Sequence, residues 1–493
     1  MHFAELFPHR VRVDPNQPAL ADEHNGTLSN ADVLERIERA SSQLKARGVE
    51  SGDVVAVKLP NRVELIIALF AAWRLNATVT PMNPSLTARE VAHQLGDSGA
   101  RVVITDDEAD FGGVDRLPVT LLAEPPAANP VPVLPPLAPD LSDTALLVYT
   151  SGTTGQPKGV VLTHANVLAM AQSIATAMDS GPDTHSLLIL PLFHVNGITV
   201  SVLSPLLAGG RATVAGRFDP RTFFDLVERY RPTYFSAVPT IYAMLEALPA
   251  VVEPDTSSLQ FAICGAAPMP PGLIAKFEAR YGVPIIEGYG LSEATCASTT
   301  NPRNGIRKPG TVGTALPGQR VAVLAPDGSV ITDGSPGEVA IQGPTVMQGY
   351  LNKPEETAQV LVDGWLRTGD VGFLDEDGYL TLVDRAKDMI IRGGENIYPK
   401  EIERVLYEYP GIHEVAVVGR PDAVYGQVPV AFISFTPDAD TDTDQLTAHL
   451  EKSLAKYKRP EIIATEVIPK NAVGKIDKPT LRRRLEAATP SHA

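Results

Sequence analysis

Residues 149–159 read Tyr-Thr-Ser-Gly-Thr-Thr-Gly-Gln-Pro-Lys-Gly, which places three glycines, four Ser/Thr hydroxyls and one lysine in eleven residues. Glycines let backbone N–H groups approach an anion, and the hydroxyls and lysine add donors, so this composition predicts a phosphate-binding loop. A Walker loop has the form Gly-x-x-x-x-Gly-Lys-Ser/Thr, whereas here Gln156 and Pro157 separate the second glycine from Lys158. The stretch therefore indicates nucleotide chemistry other than γ-phosphoryl transfer.

The segments on either side of this loop predict how it is supported. Residues 144–150 form a short apolar strand, and a helix begins near Thr163 or His164 and runs through Met178. Residues 160–162, Val-Val-Leu, leave two alternatives open. Without a strand there, the loop leads into a helix N-terminus; with one, it is the loop of a β-hairpin.

The N-terminal part of the chain alternates between helical and strand-like patterns. Helical patterns cover residues 30–47, 65–73 and a stretch from 87, and strand-like patterns cover residues 53–59, 77–80 and 101–105. Such alternation predicts βα units that feed a largely parallel sheet. Residues 121–140 carry seven prolines, so we predict a surface connection there.

Beyond Gly378 the pattern changes to a small mixed region. A charged stretch at 384–388 is followed by a helix that begins at Pro399, strands at 414–418 and 429–435, and a helix over about 443–457. A chain of 493 residues is too long for one simple core. We therefore predict an α/β protein with a large multi-subdomain N-terminal domain (1–384) that holds βα sheets and a β-rich part. A hinge (385–388) and a small mobile α+β C-terminal domain (389–493) follow it.

Composition narrows the class of protein. The net charge is −16, from 42 basic and 58 acidic residues, which argues against a nucleic-acid partner. Two cysteines cannot build a disulfide framework or a structural zinc site. The N-terminus lacks the pattern of a signal peptide, and no apolar run approaches the ~18 residues of a membrane span. We expect a cytoplasmic protein without a membrane span.

Four further motifs follow the first in order along the chain. They are Gly288-Tyr-Gly-Leu-Ser-Glu293, Trp365-Leu-Arg-Thr-Gly-Asp370, Asp384-Arg-Ala-Lys-Asp388 and Asn471-Ala-Val-Gly-Lys475. With the opening stretch they resemble the adenylate-forming enzymes: acyl-CoA synthetases, carrier-protein adenylation domains and firefly luciferase. The resemblance covers the chain from about Phe7 to Arg484 and is closest to the acyl-CoA synthetases.

The resemblance implies a reaction with ATP, Mg²⁺ and coenzyme A. The family converts a carboxylic acid and ATP into an acyl-adenylate and pyrophosphate, and most members then pass the acyl group to a thiol. The first step brings two anions together, which requires a metal ion and cationic or N–H groups at the developing charge.

The resemblance also implies an ATP-binding and magnesium set. Glu293 would coordinate Mg²⁺, which prefers hard oxygen ligands, and Asp370 would accept hydrogen bonds from the ribose hydroxyls. The implied ATP- and AMP-binding residues are Thr150, Ser151, Gly152, Thr153, Thr154, Gly155, Lys158, Gly265, Ala266, Ala267, Pro268, Glu287, Gly288, Tyr289, Gly290, Leu291, Ser292, Asp370, Arg385, Asn396 and Lys475.

The catalytic residues implied by the resemblance are Lys475, Glu293, His194 and Thr150. Lys475 would bridge the carboxylate and the α-phosphate as a mobile point charge. Lys387 would be the hinge about which the small domain rotates between the two steps. A thioester-stage loop would then contribute Arg392, Gly393 and Gly394 beside the thiol of coenzyme A.

The residues that match the family's acyl pocket are small and uncharged apart from one histidine: His194, Asn196, Val200, Ala266, Ala267, Gly288, Gly290 and Cys296. Malonate-activating relatives have an arginine at the position of Gly288, and oxalate-activating relatives have a histidine at the position of Cys296. Both differences argue against a small dicarboxylate, which stays an alternative. We expect a monocarboxylic acid, either aliphatic of short to medium length or aromatic, for which the two glycines allow pocket depth.

The acceptor is expected to be coenzyme A. The alternative is a carrier protein that the enzyme loads in trans, and a luciferase-like oxygenase would need the same motifs. A non-catalytic binding protein on this scaffold is argued against by the presence of Lys475, Glu293 and Asp370. The sequence does not indicate an oligomeric state.

Overall fold

The computed structural model describes residues 2–123, 140–150, 157–267, 269–385, 388–392, 395–422, 424–436, 443–470 and 476–488. For residues 384, 385, 395, 396, 443 and 486–488 the description covers the backbone alone. Most of the proline-rich connection predicted at 121–140 lies outside the described residues.

The strands are numbered along the chain. They are β1 (Pro18–Asp22), β2 (Gly26–Ser29), β3 (Val54–Lys58), β4 (Thr78–Pro81), β5 (Ala100–Thr105), β6 (Asp115–Pro118), β7 (Thr144–Thr150), β8 (Lys158–Thr163), β9 (His185–Leu188), β10 (Arg211–Val214), β11 (Tyr234–Ala237), β12 (Phe261–Cys264), β13 (Ile285–Tyr289), β14 (Thr299–Thr300), β15 (Thr314–Ala315), β16 (Arg320–Leu324), β17 (Gly337–Gln342), β18 (Gly349–Tyr350), β19 (Leu361–Val362), β20 (Trp365–Leu374), β21 (Leu380–Arg385), β22 (Ile390–Arg392), β23 (Glu395–Ile397), β24 (Ile412–Asp422), β25 (Gly426–Phe435) and β26 (Glu461–Ala464).

The α-helices are α1 (Leu6–Val13), α2 (Asn30–Ala46), α3 (Val63–Trp73), α4 (Ala88–Ser98), α5 (Thr120–Ala123), α6 (His164–Ala177), α7 (Ser204–Leu207), α8 (Phe223–Tyr230), α9 (Pro239–Glu246), α10 (Pro271–Tyr281), α11 (Pro354–Val360), α12 (Pro399–Tyr407), α13 (Thr443–Ser453) and α14 (Lys478–Ala488). A π-helix spans Asn196–Leu203, and 3₁₀ turns lie at Phe3–Glu5, Ser292–Ala294 and Lys456–Lys458. No helix among the described residues is long and apolar enough to cross a membrane.

The largest sheet contains the topological feature that positions the site. Its strand order is β15-β14-β13-β12-β11-β9-β10-β1-β2, and the strands from β13 to β1 are parallel. From β9 the chain moves to β10 on one side and later to β11 on the other, so the strand order reverses between β9 and β11. In open α/β sheets such a switch point leaves a crevice at the carboxyl ends of the strands, where ligands bind.

The two faces of this sheet are covered by different helices. The π-helix lies against one face, in contact with β9, β10 and β11, and this face belongs to the main core. Helices α8, α9 and α10 cover the other face, where a second core is rich in aromatic side chains. The sheet is therefore covered by helices on both faces, as the alternating pattern predicts.

A seven-stranded sheet carries the predicted phosphate loop. Its order is β18-β8-β7-β4-β3-β5-β6, with β7 and β8 antiparallel. Helix α3 contacts β3 and β4 of this sheet and β1 of the largest sheet, and all of its residues are buried. Its uniformly apolar sequence follows from this position between two sheets.

The segment after the loop decides between the two alternatives for residues 160–162. These residues belong to β8, which pairs antiparallel with β7, so the two strands form a β-hairpin. Helix α6 begins at His164, where Thr163 and Asn166 form a reciprocal capping box. The helix N-terminus is therefore separated from the loop by a whole strand.

The chain divides into two compact units. The first comprises residues 1–322, 340–368 and 376–380, and the second comprises 323–339, 369–375 and 381–493. A five-stranded sheet has the order β16-β17-β20-β19, with β21 beside β20. The mixed α/β class, with a large N-terminal part and a smaller C-terminal part, is confirmed.

The second unit contains a further sheet, β23-β22-β25-β24, with β26 beside β25. Two of its elements differ from the sequence prediction. Strands β24 and β25 extend beyond 414–418 and 429–435, because they pair with each other along a long hairpin. Helix α13 ends at Ser453, earlier than the predicted 457, and Lys456–Lys458 form a 3₁₀ turn instead.

Candidate active site

The hairpin holds the two ends of the phosphate loop opposite each other. Thr150, the last residue of β7, pairs with Lys158, the first residue of β8. The loop residues predicted to contact phosphate, Ser151, Gly152, Thr153, Thr154 and Gly155, lie outside the described residues. The described flanks thus fix where this loop starts and ends.

Lys158 contacts two residues that the sequence did not single out. Its ammonium forms an ion pair with Glu356 and lies 4.9 Å from the ring centre of Tyr350. The ion pair lowers the pKa of the Glu356 carboxyl, first through its hydrogen bond with Lys158. Glu356 and Tyr350 therefore hold the Lys158 ammonium at the base of the loop, and it is not a solvated surface side chain.

Tyr350 also contacts the predicted magnesium ligand. Its hydroxyl donates a hydrogen bond to Oε1 of Glu293 at 2.9 Å. The Met347 N–H donates to the backbone oxygen of Glu293 at 2.8 Å, which fixes the 3₁₀ turn that carries the glutamate. Burial, followed by the charge of Glu293, raises the pKa of Tyr350, so its hydroxyl stays a donor.

The structure thus brings together two motifs that are far apart in the sequence. Lys158 from the first motif and Glu293 from the second both contact Tyr350. This tyrosine is placed by the pairing of β18 with β8, in which Tyr350 lies opposite Val160. A short strand that pairs with a distant strand leaves no local sequence signal, which is why the sequence did not reveal Tyr350.

The two glycines of the second motif have a packing role. A Cβ added at Gly288 would lie 3.0 Å from the Thr299 oxygen, and one at Gly290 would lie 1.9 Å from the Cys296 oxygen. Backbone already fills the space that side chains would occupy. Glycine at these two positions therefore lets neighbouring backbone approach, and the pocket depth expected from them stays a prediction.

Glu287 precedes these glycines on β13 and is buried. Its Oε2 accepts a hydrogen bond from the Gly310 N–H at 3.3 Å. Burial raises the pKa of this carboxyl to about 7, against the opposing effects of the Gly310 hydrogen bond and the Arg307 charge. Its protonation state therefore changes close to neutral pH.

The predicted adenine-side loop follows β12. The Gly265 N–H donates to the Ala237 oxygen at 3.3 Å, which ties the loop to the end of β11. Ala266 has a φ of 67°, a left-handed conformation that costs an L-residue about 1–2 kcal/mol. Strain of this kind concentrates at functional sites. Ala267 is exposed beside it, and Pro268 lies outside the described residues.

The residues predicted for the acid lie around the π-helix. Asn196 is its first residue, Val200 is within it, and Cys296 has a hydrogen bond with the side chain of Thr199. Burial raises the pKa of the Cys296 thiol to about 11, so the thiol is neutral. His194 lies just before the helix, with its ring centre 4.5 Å from that of Phe193. The structure therefore brings Cys296 to the π-helix, through a threonine that the sequence did not single out.

Eight of the predicted residues belong to the second unit: Asp370, Arg385, Lys387, Arg392, Gly393, Gly394, Asn396 and Lys475. Asp370 is buried on β20, and the neighbouring Gly369 N–H donates to Glu338 at 3.1 Å. Arg392 donates to the Tyr457 oxygen at 2.7 Å and lies over the Tyr425 ring. The backbones of Arg385 and Asn396 lie in β21 and β23, while their side chains lie outside the description. Lys387, Gly393, Gly394 and Lys475 lie outside the described residues.

The described fold and contacts define a class of protein. A parallel sheet with a switch point, together with a lysine and a glutamate that both contact one tyrosine, fits an enzyme that acts on a nucleotide. The match to family models agrees with this class. Residues 7–351 match the AMP-binding enzyme model, and residues 401–475 match the AMP-binding enzyme C-terminal domain.

The chain belongs to the AMP-binding enzyme family and is an acid–thiol ligase. It is 39% identical over 485 residues to the feruloyl-CoA synthase of an Amycolatopsis species, covering 96% of this chain and 97% of that protein. It is 38% identical over 492 residues to the sulfoacetate–CoA ligase of Cupriavidus necator, covering 96% of each. Among solved structures, ATP-bound MatB from Rhodopseudomonas palustris superposes with a TM-score of 0.91, at 31% identity, covering 98% of this chain and 99% of that chain.

Proposed function

We propose that this enzyme couples a monocarboxylic acid to coenzyme A in two steps. In the first, a carboxylate oxygen attacks the α-phosphorus of ATP, the bond to the β-phosphate oxygen breaks, and pyrophosphate leaves. In the second, the thiol sulfur of coenzyme A attacks the acyl carbon, AMP leaves, and the thiol proton is released. The observation that carries the proposal is the shared contact of Lys158 and Glu293 with Tyr350.

Mg²⁺ suits the phosphate end of this site. Magnesium is usually held by one or two carboxylates together with substrate phosphates and water, so a site with a single glutamate is sufficient. No group of three or more His, Cys, Asp or Glu side chains able to hold a metal occurs within the described parts of the chain. We assign Glu293 as the protein ligand, and Mg²⁺ would neutralise the charge of the departing pyrophosphate.

The roles of the other residues follow from these assignments. Thr150, Lys158 and the loop residues 151–155 bind the β- and γ-phosphates, and Lys158 exchanges Glu356 for a phosphate oxygen. Asp370 and Arg385 bind the ribose, and Asn396 binds the α-phosphate. The adenine binds beside Tyr289 and the loop at Gly265–Pro268, and Leu291 and Ser292 follow it toward the α-phosphate. Small residues and backbone groups there allow close approach to the base.

Lys475 performs the adenylation step by lying between the carboxylate and the α-phosphate. The segment that carries it, 471–475, is bounded by Lys470 and Ile476, which pair with each other.

We propose domains at 1–384 and 389–493, with rotation about Lys387 after pyrophosphate leaves. Arg392, Gly393 and Gly394 then line the entry of the thiol, and His194 positions it against the acyl carbon.

Three of the residues that the structure describes in the predicted acyl pocket are uncharged, and this favours a monocarboxylic acid. Asn196, Val200 and Cys296 offer no cation to pair a second carboxylate. The test is acid-dependent release of pyrophosphate across aliphatic, aromatic and dicarboxylic acids, with and without coenzyme A. We expect release with monocarboxylates and formation of an acyl-CoA. Acyl transfer only to an added carrier protein would support the carrier-protein alternative, and no release with any acid would refute the proposal.

Lys475→Ala tests the division into two steps. We expect adenylation to be lost while acyl transfer from a synthetic acyl-adenylate to coenzyme A is largely retained. Lys470→Ala is the matched control, because Lys470 borders the same segment but forms an ion pair with Glu414 at 2.6 Å. Equal loss of both half-reactions in folded Lys475→Ala would contradict the role assigned to Lys475.

A further inference from the structure

The side chain of Asn61 is bonded to the loop that carries His194. Its Nδ2 donates a hydrogen bond to the Leu190 oxygen at 3.0 Å, and its Oδ1 accepts one from the Leu192 N–H at 2.8 Å. These partners lie 129 and 131 residues away along the chain. A carboxamide carries a donor and an acceptor side by side, so Asn61 pairs with this loop as the backbone of a neighbouring strand would.

Both sides of this contact belong to well-anchored elements. Asn61 lies between β3 and α3, and α3 is buried along its whole length. The loop follows the last residue of β9. Asn61 therefore joins the carboxyl end of β3, in the seven-stranded sheet, to the carboxyl end of β9, in the nine-stranded sheet. The second of these ends borders the switch point of the nine-stranded sheet, where ligands of such sheets bind.

The same loop is also held on the side of the π-helix. The His194 N–H donates to the Pro191 oxygen at 3.1 Å, which closes a turn over residues 191–194, and the Ile198 N–H donates to the His194 oxygen at 3.3 Å. A Cβ added at Gly197 would lie 2.7 Å from the Pro191 oxygen, so glycine lets the helix begin this close to the turn. The turn that carries His194 is therefore held by Asn61 and by the first turn of the π-helix.

We propose that Asn61 is a positioning residue for the acyl-transfer step, because it holds the turn that places His194 against the thiol of coenzyme A. Asn61 exerts this role through the backbone of Leu190 and Leu192. The inference rests on the proposed function, in which His194 serves the second step, and it adds a residue that the sequence did not single out. Adenylation should depend little on Asn61.

The expected effect is a slower acyl transfer. A misplacement of about 1 Å by a substitution away from the reacting atoms can cost up to about a hundredfold in rate. Asn61→Leu keeps the approximate size of the side chain and removes both hydrogen bonds. We expect acyl transfer from a synthetic acyl-adenylate to coenzyme A to slow about tenfold, and acid-dependent pyrophosphate release without coenzyme A to stay within about twofold of the wild type.

A double variant tests whether Asn61 acts through His194. His194→Ala removes the ring, so a residue that positions this ring has nothing left to position. Adding Asn61→Leu to His194→Ala should therefore slow acyl transfer by less than about twofold. A further slowing of about tenfold in the double variant would show that the two residues act independently, and it would overturn the proposal.

Gln17→Leu is the matched control. Gln17 is also half-buried, and its Nε2 donates to a distant backbone oxygen, that of Gly209, at 2.8 Å. Gly209 precedes β10, so this contact lies at the amino end of the nine-stranded sheet, opposite the end that Asn61 contacts. We expect both half-reactions of Gln17→Leu to stay within about twofold of the wild type.

Urea unfolding of each variant verifies that it is folded. If Asn61→Leu does not fold, Asn61→Asp replaces it. The aspartate has the same size and keeps the acceptor for the Leu192 N–H, but it loses the donor to the Leu190 oxygen. The same division is expected, with acyl transfer slowed and adenylation retained.

The failure of this inference is distinct from the failure of the proposed function. Equal slowing of the two half-reactions by Asn61→Leu, or acyl transfer as fast as in Gln17→Leu, would overturn the role of Asn61 while the ligase activity stands. No pyrophosphate release by the wild type with any acid would overturn the proposed function itself.

Discussion

The two faces of the nine-stranded sheet bury polar groups in different ways. On the face covered by α8, α9 and α10, the Tyr242 hydroxyl donates to the Ile263 oxygen at 2.7 Å and the Tyr281 hydroxyl donates to the Leu245 oxygen at 2.6 Å. On the face against the π-helix, Tyr234 and Ser186 likewise donate to backbone oxygens of that helix. At the carboxyl end of this second face, however, Ser236 has no partner among the described residues.

The two faces therefore serve different purposes: one is closed by packing, and the other ends at a candidate binding site. The first face is closed by aromatic side chains, for example Phe223 and Phe235 with ring centres 5.0 Å apart. The hydroxyls of Tyr242 and Tyr281 are satisfied by backbone oxygens of this face, so substitutions there should change stability. The second face ends in the crevice where the strand order reverses, which is where ligands of such sheets bind. Substitutions at that end should change selectivity, and the following experiments test the distinction.

The largest effect is expected from Phe235→Ala, on the face covered by α8, α9 and α10. Phe235 is fully buried between Phe223 and Tyr242. Removing a buried phenylalanine side chain costs about 3–5 kcal/mol of unfolding free energy through lost burial and the cavity left behind. Urea unfolding measures this loss, and Phe235→Leu should lose much less. A change in the ratio of kcat/KM between acids in folded Phe235→Ala would break the distinction between the faces.

The next-largest effect is the pH dependence of folding stability that His185 causes on the same face. His185 is 4% exposed, and its Nε2 lies 2.7 Å from the Thr213 hydroxyl. Burial, followed by the charge of Arg211, lowers the pKa of His185 from 6.5 to about 4. As the pH falls from 6.5 to 4 the unfolded chain takes up a proton that the folded protein does not. Folding stability therefore falls over this range, by about 1.4 kcal/mol per pH unit and about 3 kcal/mol in total.

His185→Gln removes this titration and keeps a group able to bond Thr213. Urea unfolding at pH 7, 6 and 5 should show a shallower loss of stability in the variant than in the wild type. His164 is also buried with its pKa lowered, to about 3, so the informative quantity is the difference between the two proteins. Parallel pH dependences for the two proteins would contradict the assignment.

The sequence predicts much of the framework and less of the site. The alternation of apolar segments predicts the strands and helices around α3, and the first motif predicts the loop that follows β7. The π-helix was not predicted, because its apolar run shows no amphipathic period. Tyr350 and Glu356 contact Lys158 only because β18 pairs with β8, and such long-range pairing has no local pattern.

The packing around the two glycines of the second motif shows a second limit of prediction from sequence. Gly288 and Gly290 are flanked by β14 and by the backbone at Cys296. From sequence, a glycine near a pocket indicates space, but whether backbone or ligand occupies that space depends on the strand that pairs beside it.

A smaller effect is expected from Tyr350→Phe at the phosphate end of the site. The variant keeps the ring beside Lys158 and removes the hydrogen bond to Glu293. Because partners of metal ligands orient them, we expect the Mg²⁺ concentration for half-maximal pyrophosphate release to rise about tenfold. Tyr149→Phe is the control, since its hydroxyl also donates to a carboxylate, that of Asp97, at 2.7 Å. Equal shifts in the two variants would mean that Tyr350 has no particular role toward the metal.

The smallest and most selective test compares Tyr234→Phe with Tyr242→Phe. Both tyrosines are buried, and each hydroxyl donates to one backbone oxygen, that of Val200 or that of Ile263. Each substitution should cost about 1 kcal/mol of unfolding free energy, because each leaves one buried carbonyl without this donor. Only Tyr234 holds the π-helix that begins at Asn196. Tyr234→Phe should therefore change kcat/KM for the acid by a few-fold, and Tyr242→Phe should leave it unchanged. Equal stability losses with equal values of kcat/KM would show that the π-helix is held without this bond.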